Sequence, residues 1–188
     1  MIGQQQKDQA EKWFKDLRDK ICEEFEILEE DHLKLAPKSD VAAKKFERKS
    51  TKRETNDKED GGGGVMATLK DGRIFEKVGV NVSAVYGNLA PEAQKSITAR
   101  KAIPELKDDP RFWASGISLV AHMRNPHTPA IHLNTRMFWT PHAWWFGGGT
   151  DLNPSIENDD DTNFFHQILK KKCDKHNQSC LLYTSDAA

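Results

Sequence analysis

No stretch of this 188-residue sequence reaches the roughly 18 consecutive apolar residues that a bilayer-spanning helix needs. Its start, MIGQQQKDQAEKWF, has no apolar stretch behind a basic one, so neither an integral membrane segment nor a secretory signal is expected. Cysteine is scarce and poorly placed for chemistry: Cys22, Cys173 and Cys180 are odd in number and lack C-x-x-C spacing. They read as reduced structural thiols in a soluble, cytoplasmic protein. There is no G-x-G-x-x-G after a strand and no Walker sequence, so no nucleotide cofactor is implied. An excess of basic charge is also missing. The 28 Lys and Arg residues are dispersed and balanced by 29 Asp and Glu, for a net charge of −1, which removes the footprint of a nucleic-acid binder.

The length allows one domain with a real core, or one and part of another. From Lys7 to about Glu30 the apolar residues Ala10, Trp13, Phe14, Leu17, Ile21, Phe25 and Leu28 recur at steps of three and four, which predicts an amphipathic helix with its Trp and Phe residues in the core. Residues 36–60 are charged and have little to bury, so they read as an exposed connection or a weak helix, with Arg48–Lys58 a solvated face or loop. Glycines 61–64 mark a flexible link or a tight backbone approach, and composition favours the link.

Beyond them the hydrophobic period drops to two. EKVGVNVSAVYG predicts a half-buried strand, FWASGISLVAHM a second, IHLNTRMFW a third, and AWWFG a fourth ended by glycines. RNPHTPA, between the second and third, is turn chemistry. After Asn153-Pro154, helical spacing returns through Phe164, Phe165, Ile168 and Leu169, with Asp159, Asp160 and Asp161 near the start as dipole-favoured acids. Helix, strands, helix predicts an α+β fold built on an antiparallel sheet.

In IHLNTRMFW, His132, Asn134 and Arg136 alternate with apolar residues. If strands 114–122 and 132–139 form a hairpin around His127, the simplest register pairs His122 with His132, Val120 with Asn134 and Ser118 with Arg136. One face then carries Ser118, His122, His132, Asn134 and Arg136, and the other turns Ile117, Leu119, Ala121, Ile131, Leu133 and Met137 to the core. Arg offers a planar fork for a carboxylate, Asn donates and accepts, and His moves a proton near neutral pH, capacities that suit an anionic organic substrate. The bland alternative is an ordinary wet face.

A metal site must be weighed because His122, His127, His132, His142 and His166 are ligands of the right type. There is no H-x-H or H-E-x-x-H and no carboxylate among the strand positions, so a required metal is not favoured. WWFGGGTDL raises a further choice. Its glycines let the backbone approach a ligand or turn sharply, and Asp151 is either the N-cap of the next segment or a carboxylate facing N–H donors.

AEKWFKDLRDKICEEFEILE, EKVGVNVSAVYGNL, GISLVAHMRNPHTPAIHLNTRMFW, WWFGGGTDLNP and DDTNFFHQILKKKCDKH together resemble the oxygen-dependent coproporphyrinogen III oxidase family, from about residue 9 to about residue 176 and weakly over 36–58. The resemblance implies a homodimer whose flat antiparallel sheet is flanked by helices. Such an enzyme uses molecular oxygen to decarboxylate two propionates of coproporphyrinogen III, giving protoporphyrinogen IX, carbon dioxide and hydrogen peroxide in haem biosynthesis, with no required metal or organic cofactor. By motif, His132 resembles the family's proton donor, and Ser118, Asn134, Thr135 and Arg136 resemble substrate-binding positions. Asp151 resembles the carboxylate held near the pyrrole nitrogens. His122, His132 and His166 fall where some bacterial members are described as binding a divalent metal.

The family pattern continues past the CDKH helix, whereas this sequence ends NQSCLLYTSDAA. The expectation is therefore an N-terminal part of the oxidase domain over residues 1–176 and a non-native tail over 177–188, which leaves the activity of the chain itself in question. Two rival functions remain: a non-catalytic tetrapyrrole-binding module, which would bind without consuming oxygen, and a metal-dependent oxygenase, which chelators would silence.

Overall fold

The computed structural model describes residues 3–37, 40–55 and 59–176; the sequence reading of 177–188 as a foreign tail falls outside them. The long first helix, α1 (Gln4–Leu35), is followed by strands β1 (Glu47–Glu54), β2 (Asp60–Lys70) and β3 (Phe75–Asn88). Helix α2 (Pro91–Lys101) and a 3-10 turn (Pro104–Lys107) lead into β4 (Arg111–Met123), β5 (Ala130–Trp139) and β6 (Trp144–Asn153), and helix α3 (Asp159–His176) closes the described chain. The six strands form one antiparallel sheet in the order β1-β2-β3-β4-β5-β6, each paired with its neighbour in sequence. This is the α+β arrangement that the change of period predicts, a flat sheet with three helices.

One face of the sheet is the core. Ala10, Phe14 and Cys22 of α1 are buried against Val78, Val80 and Val82 of β3, Ile117, Leu119 and Ala121 of β4 and Met137 of β5, while Leu17, Ile21, Phe25, Ile131 and Leu133 pack around them. Phe14 is fully buried, worth about 2–3 kcal/mol of transfer free energy. Phe25 stacks on Phe75 at 4.7 Å between ring centroids. Trp13 departs from the expectation of a core residue and remains 55% exposed. Helical periodicity puts it on the flank of the buried stripe, beside Phe14 but not beneath it.

Three segments depart from the sequence reading. Residues 47–54, expected as a loop or weak helix, are an edge strand; both faces of β1 are wet, so no alternation marked it, and its Lys and Arg side chains suit an unprotected edge. Glycines 61–64 are not a link. They lie in β2, where Gly62 has φ +91° and a Cβ there would stand 2.2 Å from the Ala84 carbonyl oxygen, the tight approach that composition disfavoured. Glycines 147–149 likewise continue β6 instead of ending it. Helix α2 has no buried residue and hence no apolar stripe from which periodicity would predict it.

Candidate functional site

Helix α1 covers one face of the sheet, and on the other, open face Ser118, His122, Asn134, Arg136 and Asp151 are exposed among the described residues. Strand alternation sends Ser118 and His122 of β4 and His132, Asn134 and Arg136 of β5 to that open face, as the hairpin reading predicts. The register differs by two residues from the expected one: Val120 opposes His132, Ser118 opposes Asn134 and Gly116 opposes Arg136. The cause is the turn, in which Thr128 N donates to the Asn125 carbonyl at 3.0 Å and the hairpin centres on Pro126 instead of His127. A shift of two preserves the face of every side chain, so the cluster survives.

Register fixes three rows across this face. One runs Gly64, Ser83, Gly116, Arg136, Gly147; the next Met66, Asn81, Ser118, Asn134, Gly149; and the third Thr68, Gly79, Val120, His132, Asp151. At one end lies an aromatic patch, with Phe112 stacked on Phe138 at 5.6 Å and Phe138 on Trp145 at 4.9 Å. The floor thus changes from aromatic through small and polar to ionisable. Thr135 does not join it. Alternation turns Thr135 to the α1 side, opposite Ile117 and Gly148, because it stands between two residues that face the open side.

The ionisable end is a hydrogen-bonded chain. Asp151, opposite His132 on β6 and not an N-cap, receives the imidazole Nδ1–H at 2.7 Å on its Oδ1. Asn153 Nδ2 donates to the same oxygen at 2.6 Å and lies 3.1 Å from His132 Nδ1. This carboxylate selects the Nδ1–H tautomer of neutral His132 and fixes the ring, leaving Nε2 to face His122 Nε2 at 3.4 Å. Side-chain exposures of 35% for His132 and 60% for Asp151 make the pair a minor contributor to stability, so its consequence is orientation of the imidazole.

Asn153 and Asn81 were missed in the sequence. The signal for Asn153 is its place two residues beyond Asp151 on the same face, which a strand ending at the glycines hides. For Asn81 it is the polar parity of VNVS, which places it opposite Ser118. The proposed metal set fares differently. His122 and His132 come together, but His166 lies on α3 with its ring against its helix neighbour Phe165. Among the described residues no group of three His, Cys, Asp or Glu side chains is arranged to hold a metal ion. The two imidazoles alone would be an incomplete ligand set.

A family model described as coproporphyrinogen III oxidase matches residues 9–185 of the chain. Oxygen-dependent coproporphyrinogen-III oxidases are similar along most of the chain: that of Rickettsia felis is 44% identical over 173 residues, and that of Rickettsia conorii 43% over the same length. In each case the alignment covers 92% of this chain and 56% of the relative. The enzyme of Rickettsia bellii is 42% identical over 175 residues, covering 93% and 57%. This chain therefore spans somewhat more than half the length of these curated relatives. With a match to the family model over nearly its whole length, the chain belongs to the coproporphyrinogen III oxidase family.

Proposed function

We propose that the open face of the sheet binds coproporphyrinogen III and serves its oxygen-dependent oxidative decarboxylation, in which two propionates become vinyl groups on the way to protoporphyrinogen IX and haem. The observation that carries this reading is the Asp151–His132–His122 chain standing on the same face as Arg136, in a member of this family. For each propionate, one hydrogen of the side chain leaves with its electron pair to oxygen, a proton completes hydrogen peroxide, and the carboxylate departs as carbon dioxide. A substrate whose pyrroles are themselves electron-rich needs from the protein mainly position and proton management.

Arg136 and Asn134 hold a propionate, the guanidinium by charge-assisted hydrogen bonds and the amide by donation. Ser118, directly opposite Asn134, adds a hydroxyl to the same row. Asp151 uses Oδ1 for His132 and Asn153, and its Oδ2 accepts from pyrrole N–H groups. His132, held by that carboxylate, moves the proton. Thr135, which faces α1, has no part in this scheme. Oxygen is the co-substrate and the scheme draws on no metal. The same reading makes the protein a cytoplasmic homodimer.

An oxygen electrode coupled to porphyrin chromatography tests the assignment. His132→Ala and Arg136→Ala are each expected to lower turnover by about 100-fold or more while leaving the circular dichroism unchanged. Undiminished rates would remove both roles, binding without oxygen uptake would reduce the chain to a tetrapyrrole-binding module, and loss of activity to chelators would favour a metal-dependent oxygenase.

A further inference from the structure

The aromatic end of the open face carries a cation that the scheme above leaves unused. Lys101, the last residue of α2, places its ammonium 5.6 Å from the centroid of the Trp145 ring. Trp145 opposes Phe138 in the register, and Arg136 opposes Gly147, two residues further along β6. Arg136 and Trp145 are therefore diagonal neighbours on one face, with Cα atoms roughly 7–8 Å apart. Helix α2, which buries none of its own residues, and the turn after it, which buries Ile103 and Leu106, carry Lys101 to the sheet. Among the described residues, neither Lys101 nor Arg136 takes part in an ion pair.

With Arg53, whose guanidinium lies 5.6 Å from the centroid of the Phe112 ring, Lys101 and Arg136 make this end of the face cationic. A ligand carrying carboxylates would meet that charge. The Trp145 ring holds the ammonium by its negative face without neutralising it, which keeps the charge available. We propose that Lys101 is a second carboxylate anchor of the site, acting with Arg136 on a ligand that carries at least two carboxylates on one apolar macrocyclic body. The body lies over Phe138 and Trp145 while the two carboxylates meet the ammonium and the guanidinium. The inference rests on the function proposed above and deepens it by naming how the ligand is oriented on the floor.

Fluorescence titration of the chain with coproporphyrin III, the stable oxidised tetracarboxylic acid, and with its tetramethyl ester separates charge recognition from stacking. Lys101→Met is expected to weaken binding of the acid about tenfold, as befits loss of one charge-assisted contact, and to leave binding of the ester unchanged. Lys101→Arg should restore binding of the acid to within about threefold. Thermal melting should be the same for all three proteins. Equal binding of the acid by wild type and Lys101→Met would overturn the inference, as would parallel weakening of acid and ester, which would make Lys101 only a cover for Trp145. If wild type binds neither compound, the proposed function fails and this inference with it.

Discussion

Glu29 joins α1 to the chain before β1 and to the turn between β2 and β3, at a position where the amphipathic pattern alone gives it no distinction. It is fully buried at the end of α1. Its Oε1 accepts from the backbone N–H of Ile74 at 2.8 Å and of Phe75 at 3.0 Å, and its Oε2 accepts from Arg73 N at 2.6 Å and Lys44 N at 3.3 Å. The carboxylate thus replaces the hydrogen bonds that the turn between β2 and β3 cannot make internally. Gly72 is required in that turn, because a Cβ there would stand 2.5 Å from Glu29 Oε1. Arg73, also buried, reaches back to the carbonyl oxygens of Val41 and Ala36, so helix end, connection and hairpin are tied at one point. Removing the carboxylate strands several buried donors, each costing about 1–3 kcal/mol. Glu29→Ala is therefore expected to destabilise the chain by at least about 3 kcal/mol, read as a lower urea midpoint at unchanged m-value. Glu29→Gln should be nearly as damaging, since one acceptor becomes a donor facing donors.

Among the elements, the glycines on the open face divide by what a side chain would meet. At Gly116 a Cβ would lie 2.5 Å from the Thr135 carbonyl oxygen, so the fold itself demands glycine. At Gly149 it would meet nothing within 4 Å, although a strand position normally favours a β-branched residue. Gly149 lies in the row of Ser118 and Asn134, where a side chain would rise into the space the ligand is proposed to fill. Gly149→Val should therefore leave the melting temperature within a few degrees of wild type and weaken coproporphyrin binding at least about tenfold, whereas Gly116→Ala should cost about 1–3 kcal/mol of stability. Calorimetry and fluorescence titration on the two variants separate these outcomes. The same glycines explain what could be read in the sequence. The helix α1 and strands β3 to β5 bury one face and expose the other, so Phe14, Val78, Val80, Val82, Ile117 and Leu119 wrote their period into the chain. Strand β1 is wet on both faces, and β2 and β6 contain glycine runs, so neither rule of alternation applied. The polar cluster of β4 and β5 was legible because parity survives an even slip of register. Asn153 and Lys101 were not, since each reaches the face through an element whose extent or existence the pattern concealed.

At the scale of the whole molecule, every strand pairs with its neighbour in sequence, and α1 docks across β3 and β4 from far along the chain. Local pairings of this kind form readily, so the stability of the sheet should depend on whether that helix is seated. Cys22 sits on the docking seam of α1, buried in the core, and burial pushes its thiol up from the ordinary 9.0 to about 11, against the opposing pull of Arg48 and Arg18. Because the folded chain holds this proton more tightly than the unfolded one, the stability linked to Cys22 is fully present below pH 9 and is lost as pH rises towards 11. Cys22 is thus a reporter of helix seating with a known sign. In a background with Cys173→Ser and Cys180→Ser, an aromatic disulfide reagent at pH 8 should label native protein far more slowly than protein in urea, because the reactive thiolate is both scarce and enclosed. The rate should rise with pH, and it should rise in Phe14→Ala, which weakens the same seam by about 3–5 kcal/mol. Rapid labelling of native protein, equal to that in urea, would mean that α1 does not stay on the sheet, and the open face would then not be the only face a ligand could reach.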